Sequence, residues 1–343
     1  MIVRPYYLDI LKTYRDVPLV KILAGIRRCG KSTILDMLKD DLLGSGIVAD
    51  HVIHLRYTSE ELDEGMTAKQ MYQNIKEKMT DSERYYLLLD EVQEVNGWEK
   101  AVNSLLEDAN TDIYVTGSNS KLMSSEISTY LTGRYVSIPV YTLSFKEYLD
   151  FKADSTLSRR ELLEEYIRFG GFPIIALSEY DEQSAYQIVN GIYHTVVSRD
   201  IVKRHRINKQ DLFDRVVKFI IENMGKTFSA NSISTFLKSE LRKVSVESIY
   251  NYLRWLEQAF IIYPCERYDL QGKSILKTQE KYYLADVSLK YALLGYNRKM
   301  LDGAMENIVF LELKRRGYDV YIGKNDTKEI DFVAARRDER IYV

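Results

Sequence analysis

A chain of 343 residues with 45% hydrophobic content can build ordinary cores, which excludes wholesale disorder and sets an expectation of two or three domains. A formal charge of −2 excludes a polycation, so any nucleic-acid surface must be a local patch. Cys29 and Cys265 lie far apart without metal-ligand spacing, which argues against a disulfide framework and fits a reducing compartment.

The N-terminal "MIVRPYYLDILK" carries charge too early for a signal peptide. The longest apolar runs, "YYLLLD" and "AFIIY", fall far short of the ~20 residues that a spanning helix needs. The expectation is a cytoplasmic protein with no membrane partner. Residues 17–25, "VPLVKILAG", read as a buried strand. The pattern G-x-x-x-x-G-K-[ST] follows in full as Gly25, Gly30, Lys31 and Ser32. "STILDMLKDDLL" then has helical spacing at Ile34, Leu35, Leu38 and Leu42. Strand, glycine loop and helix are the context that this phosphate-binding motif demands. Glycines let backbone N–H groups face phosphates, and the helix N-terminus adds partial positive charge. Lys31 is expected to reach the terminal phosphates and the Ser32 hydroxyl to ligate magnesium, with Thr33 a lesser phosphate contact.

"HVIHLRY", residues 51–57, reads as a further strand. "RYYLLLDEVQEV" supplies what a nucleoside triphosphatase needs next, an apolar strand ending in carboxylates. Asp90 is expected to hold magnesium and Glu91 to polarise the attacking water as general base. An ordinary surface pair after a core strand is the other reading of these two residues. "TDIYVTGSNS" is a third strand, ending in Gly117, Ser118 and Asn119. Asn119 or Ser118 can touch the terminal phosphate and water there, or the three residues can serve a turn.

This set resembles the AAA-related branch of P-loop ATPases over roughly residues 1–200, with a STAND-like or archaeal-type core. The resemblance implies a magnesium-dependent ATPase built on a parallel sheet, with ATP and Mg2+ as its ligands. "YLTGRY" places Arg134 where the resembling group has Leu-x-Gly-Arg. As an arginine finger, Arg134 would neutralise charge on the transferred phosphoryl, in cis or from a neighbouring subunit. Otherwise it is a solvent arginine before the strand "YVSIPV". "YTLSFKEYLDF", residues 141–151, reads as apolar docking through Phe145, Tyr148 and Leu149. "FGGFPIIAL" carries Gly170, Gly171 and Pro173, either a tight turn or a reporter of nucleotide state.

Residues 198–209, "SRDIVKRHRINK", are basic through Arg199, Lys203, Arg204, Arg206 and Lys209. His194 and His205 flank them without a metal-spaced partner and are read as non-ligands. From about residue 208 short helices follow. The first is expected to bury Leu212, Val216, Phe219 and Ile220 and to end at Gly225. The next two start at Ser229 and Ser245, the latter with Val246, Ile249, Leu253, Leu256 and Phe260 on one face. An alternating segment with a turn at Gln271 and Gly272 reads as a hairpin. Three helices and a hairpin make a winged helix-turn-helix, whose third helix often enters a DNA groove. Here that helix exposes Glu247, Asn251, Arg254, Glu257 and Gln258, which is not a basic face. Its partner is therefore expected to be DNA or a protein.

The last segment has a helix carrying Glu306, Val309, Phe310 and Leu313, then the strands "DVYIG", "EIDFVA" and "RIYV". It resembles the start of a PD-(D/E)XK nuclease-like fold, with Glu306 and Asp331 as matching carboxylates. "RIYV" ends before the acid and lysine of that fold's next strand, so a truncated domain is expected.

The expected fold class is thus α/β: a P-loop parallel-sheet core at residues 1–200, a winged helix at 201–290 and a partial α+β nuclease-like domain at 291–343. The whole resembles a prokaryotic AAA-related ATPase family. The expected function is magnesium-dependent ATP binding with slow hydrolysis, acting as a switch that moves the C-terminal modules. The alternatives are a DNA- or protein-binding adaptor with ATP as structural ligand, and an ATP-controlled metal-dependent nuclease. AAA kinship also suggests a homo-oligomer.

Overall fold

The apolar runs of the first 140 residues pair with one another in a single parallel sheet. Its order is β2-β3-β4-β1-β5, with β1 Val20–Ala24, β2 Val52–Arg56, β3 Tyr85–Asp90, β4 Thr111–Gly117 and β5 Tyr135–Pro139. The structure is a computed structural model and describes residues 2–57, 65–123, 127, 130–207, 209–239, 244–269, 274–296, 301–325 and 328–343. Strands β1, β3 and β4 are buried at every position, which is why they read as near-continuous apolar runs.

Helix α1 Pro5–Thr13 precedes β1, and α2 Lys31–Gly44, α3 Ala68–Lys78 and α4 Trp98–Asp108 connect β1 to β2, β2 to β3 and β3 to β4. Helix α2 begins where Gly30, at φ 102, turns the chain out of the loop. Helix α3 begins at a capping box between Thr67 and Gln70. A wholly buried ion pair, Lys21 with Asp112, ties β1 to β4. Asp112 also accepts from the Asp16 N–H at 2.9 Å and from the Tyr114 hydroxyl at 2.8 Å. Burial pushes the Lys21 ammonium below its ordinary pKa, and Asp112 opposes that shift.

The chain divides into two compact units that meet between Val140 and Tyr141. In the second unit, capping boxes at Ser144 and Ser158 start the helices Phe145–Phe151 and Arg159–Phe169. Tyr148 is buried and Phe145 and Leu149 are half-buried, so this segment docks as expected. Gly170 takes φ 75, and a Cβ there would lie 1.8 Å from the Asp286 carboxylate. The Gly171 N–H donates to the other Asp286 oxygen at 2.8 Å. The two glycines thus form a tight turn seated on a buried carboxyl.

The three expected helices appear as Gln210–Glu222, Ala230–Ser239 and Val246–Gln258. The first buries Val216 and Ile220 together with Phe213, Val217 and Ile221, and leaves Leu212 and Phe219 half-buried. The third starts at Ser245, whose hydroxyl accepts from the Ser248 N–H at 3.1 Å. His205 stacks on Trp255 with ring centroids 4.3 Å apart.

A mixed sheet follows, in the order β10-β9-β8-β6-β7. Its strands are β6 Ile262–Asp269, β7 Ser274–Leu284, β8 Asp319–Asn325, β9 Lys328–Arg336 and β10 Glu339–Tyr342. Strands β6 and β7 form the expected antiparallel hairpin, and its turn at Gln271 and Gly272 lies outside the described residues. Strand β6 also pairs in parallel with β8. The hairpin and the three C-terminal strands are therefore one sheet, and the expected limit at residue 290 falls inside it. The expected limit at residue 200 likewise falls inside the second unit, because the parallel sheet closes with β5. Helix Leu301–Arg315 lays Phe310, Leu311 and Leu313 on this sheet against Tyr283, Ile322 and Phe332. Among the described residues no helix is long and apolar enough to cross a membrane.

Candidate nucleotide-binding site

Ligands of open α/β sheets bind at the carboxyl ends of the strands, and the parallel sheet gathers its polar residues there. Gly25 leaves β1 and donates to the Gly117 carbonyl at 3.4 Å. A Cβ at Gly25 would stand 2.0 Å from the Val140 carbonyl oxygen, so only glycine fits. The loop then turns through Arg28 at φ 66 and Gly30 at φ 102. Left-handed backbone at a non-glycine residue costs about 1–3 kcal/mol and concentrates at functional sites. Arg4 braces the loop by donating to the Cys29 carbonyl at 2.9 Å. Burial pushes the Cys29 thiol above its ordinary pKa, so it packs as a neutral group.

Lys31 is buried at the first position of α2. Its Nζ donates to the Gly25 carbonyl at 3.0 Å and the Ile26 carbonyl at 3.2 Å, and lies 3.6 Å from Glu91 Oε1. Ser32 is half-buried and Thr33 exposed on the same first turn. Asp90 ends β3 and is buried. The Thr116 hydroxyl, from β4, donates to Asp90 Oδ1 and accepts from the Glu91 N–H at 2.9 Å. One side chain thus orients both members of the acidic pair. Glu91 is held at φ 55. Burial alone would push its pKa up. The Lys31 ammonium, the Gln93 amide and Arg27 outweigh burial and hold the carboxyl below the usual range. Ser118 and Asn119 are buried just past the end of β4, beside the start of the glycine loop.

The structure therefore brings together Gly25, Gly30, Lys31, Ser32, Asp90, Glu91 and Asn119, and it leaves out Arg134. Val20 lies opposite Tyr135 and Ala24 opposite Pro139. Arg134 is thus at the amino end of β5, six residues along the strand direction from the level of Gly25, roughly 20 Å at ~3.3 Å per residue. Its guanidinium instead donates to Glu107, to Asn103 at 2.8 Å and to Thr132 at 3.2 Å. Sequence reasoning singled out neither Thr116 nor Gln93. A hydroxyl two residues before the β4 tip and the Asp-Glu-x-Gln spacing were the available signals.

In the second unit, Glu306 Oε1 accepts from Lys281 Nζ at 2.9 Å and from the Tyr283 hydroxyl at 2.6 Å. Lys281 also pairs with Glu329 at 2.7 Å. Asp331 is exposed on β9. Among the described residues no group of three or more His, Cys, Asp or Glu side chains is placed to hold a metal ion.

A parallel sheet in this order, with a glycine loop opening into a helix and a carboxylate pair on the neighbouring strand, defines an AAA-related P-loop ATPase fold. Residues 18–149 match the family model of an AAA domain, and residues 160–299 match a domain of unknown function (DUF8612). An uncharacterized protein of Haemophilus influenzae is 41% identical over 100% of this chain and 86% of its own length. The uncharacterized protein MJ1544 of Methanocaldococcus jannaschii is 32% identical over 92% of this chain and 71% of its own length. The chain belongs to the family that these proteins form. Among solved structures, the Walker-type ATPase PABY2304 of Pyrococcus abyssi is similar in fold. Its TM-score is 0.59 over 85% of this chain and 96% of that one, at 14% identity.

Proposed function

We propose that the chain binds ATP with magnesium and hydrolyses it slowly, as a nucleotide switch acting on its C-terminal modules. The observation that carries this reading is the meeting of Lys31, Asp90 and Glu91 at one sheet edge, with Lys31 Nζ 3.6 Å from Glu91 Oε1. The residues suit a magnesium nucleotide. The loop approaches its surroundings closely enough that Gly25 tolerates no Cβ, and the donors are a helix-terminal hydroxyl and a carboxylate, the hard oxygens that magnesium prefers. Ser32 and Asp90 would hold the ion, which when bound would neutralise phosphate charge. Gly25, Gly30, Lys31 and Thr33 would bind the phosphates. Glu91 would take the proton of the attacking water at its carboxylate, and Asn119 would contact the terminal phosphate. Arg134, at the opposite end of the sheet, would serve the site of a second copy in a homo-oligomer.

Turnover of ATP by Glu91→Gln tests this reading. The variant is expected to bind nucleotide like the wild type and to lose hydrolysis. Undiminished turnover would remove Glu91 from the role.

A second reading, a nucleic-acid-binding or protein-binding adaptor with ATP as structural ligand, draws on a different observation. Arg199, Lys203, Arg204, Arg206 and Lys209 are all exposed, and among the described residues none of them forms an ion pair. Phosphate contacts dominate nucleic-acid affinity, so this segment, rather than the Val246–Gln258 helix, would carry it. A gel shift that stays absent at low salt would end that reading.

A further inference from the structure

Gln93 lies two residues beyond Glu91 in the short turn Val92–Glu94. Its Nε2 donates to Glu91 Oε2 and reaches Ser118 Oγ at 3.4 Å. The amide has one workable orientation, because Oε1 turned toward the carboxylate would set two acceptors against each other. Its Oε1 is buried over Gly117, where an added Cβ would lie 2.4 Å from that oxygen. Gly117 therefore keeps open a slot that the Gln93 amide shares with the Leu122 side chain, whose Cδ2 would lie 2.5 Å from that Cβ. The two oxygens of Glu91 have different surroundings: Oε1 faces Lys31 at 3.6 Å, while Oε2 is held by Gln93.

From this arrangement we infer that Gln93 is a positioning residue of the hydrolytic site. It fixes the rotation of the Glu91 carboxylate and couples it to Ser118 at the β4 tip. Oε1 is then the oxygen that faces the phosphate loop and receives the proton of the attacking water. The inference rests on the reading of Glu91 as general base and adds what aims that base. It also gives the β4 tip a route to the base through Ser118, separate from direct phosphate contact by Asn119. The Thr116 hydroxyl anchors the Glu91 backbone and Gln93 anchors its side chain, so the two act on different parts of one residue.

The test is steady-state ATP turnover and nucleotide affinity in the full chain for Gln93→Leu and Gln93→Glu, with Glu91→Gln alongside. Misaiming a catalytic group costs roughly 10- to 100-fold in rate. Both Gln93 variants are expected to lose kcat by that factor while KM and nucleotide affinity stay close to wild type. Gln93→Glu keeps the size of the side chain and guards against a folding defect in Gln93→Leu. The double variant Glu91→Gln with Gln93→Glu reverses the pair. It is expected to recover the melting temperature lost in Gln93→Glu without recovering turnover. Wild-type kcat in both Gln93 variants, with Glu91→Gln inactive, would overturn the inference and leave the base assignment standing. A fall in nucleotide affinity matching the fall in kcat would show a merely structural role and also overturn it. Full turnover in Glu91→Gln would sink the base assignment itself and the inference with it.

Discussion

Replacing Thr116 by valine nearly preserves the size of a wholly buried side chain and removes one hydroxyl that serves two partners. That hydroxyl accepts from the Glu91 N–H at 2.9 Å and donates to Asp90 Oδ1. A buried N–H left without an acceptor costs ~1–3 kcal/mol, and a lost hydrogen bond to a charged group ~1.5–3 kcal/mol. The expected loss of stability is therefore about 2.5–6 kcal/mol, well above the usual effect of a near-isosteric change. A second effect is positional. Glu91 occupies φ 55, a conformation that persists only while its surroundings hold it. With its N–H released, the backbone can relax and carry the carboxylate off its aim. Urea unfolding would read the first effect, and ATP turnover at several magnesium concentrations the second. Turnover is expected to fall by roughly 100-fold, with nucleotide affinity much less affected because residues 25–32 are untouched. Thr116→Ser should retain both properties. Wild-type stability and turnover in Thr116→Val would refute the reasoning.

Further expectations follow from other contacts. Asp112→Asn strands the wholly buried Lys21 charge and should cost about 3–5 kcal/mol in urea unfolding, whereas Lys21→Met with Asp112→Leu should recover most of it. Glu257 is half-buried; desolvation and, after it, the neighbouring Glu280 carboxylate push its pKa up to about 7, against ~4.3 in an unfolded chain. Between those values the native state keeps a proton that the unfolded chain has released, so stability should fall as pH rises through the window, by ~1–3 kcal/mol. Glu257→Gln should flatten that slope and be the more stable form at pH 8, as unfolding at pH 5 and pH 8 would reveal. If Arg134 serves a second copy, wild-type turnover per subunit should rise with protein concentration and Arg134→Ala should abolish the rise. Flat turnover in both would leave Arg134 as a brace for Glu107 and Asn103.

The parts of the site that lie in consecutive residues were legible in the sequence. Residues 25–32 spell their own loop, and Asp90 and Glu91 come at the end of an apolar run that reads as a core strand. What was not legible depends on strand neighbours. Thr116 reaches Asp90 and Glu91 because β4 lies beside β3, and no local pattern states that order. Gln93 was hidden because a glutamine in a turn is ordinarily a solvent residue. Its role depends on the space that Gly117 leaves beside it. Arg134 was legible as a residue preceding a strand. Its distance from the loop came only with the parallel register of β1 and β5. The same holds for the second unit. The helix starts at Ser144, Ser158 and Ser245 are local hydrogen-bonding signals. The parallel pairing of β6 with β8 joins segments about fifty residues apart, and such long-range contacts leave no periodic trace.

The most direct test of the nucleotide site is equilibrium binding of ATP, with magnesium present, to the wild type and to Lys31→Ala. Lys31 is the one buried cation of the loop that touches both the loop carbonyls and the Glu91 side of the site. Saturable binding by the wild type is expected, with a loss of at least roughly 100-fold in the variant, about 2.7 kcal/mol. Equal affinity in the two proteins would contradict this expectation, and so would a wild type that binds no nucleotide.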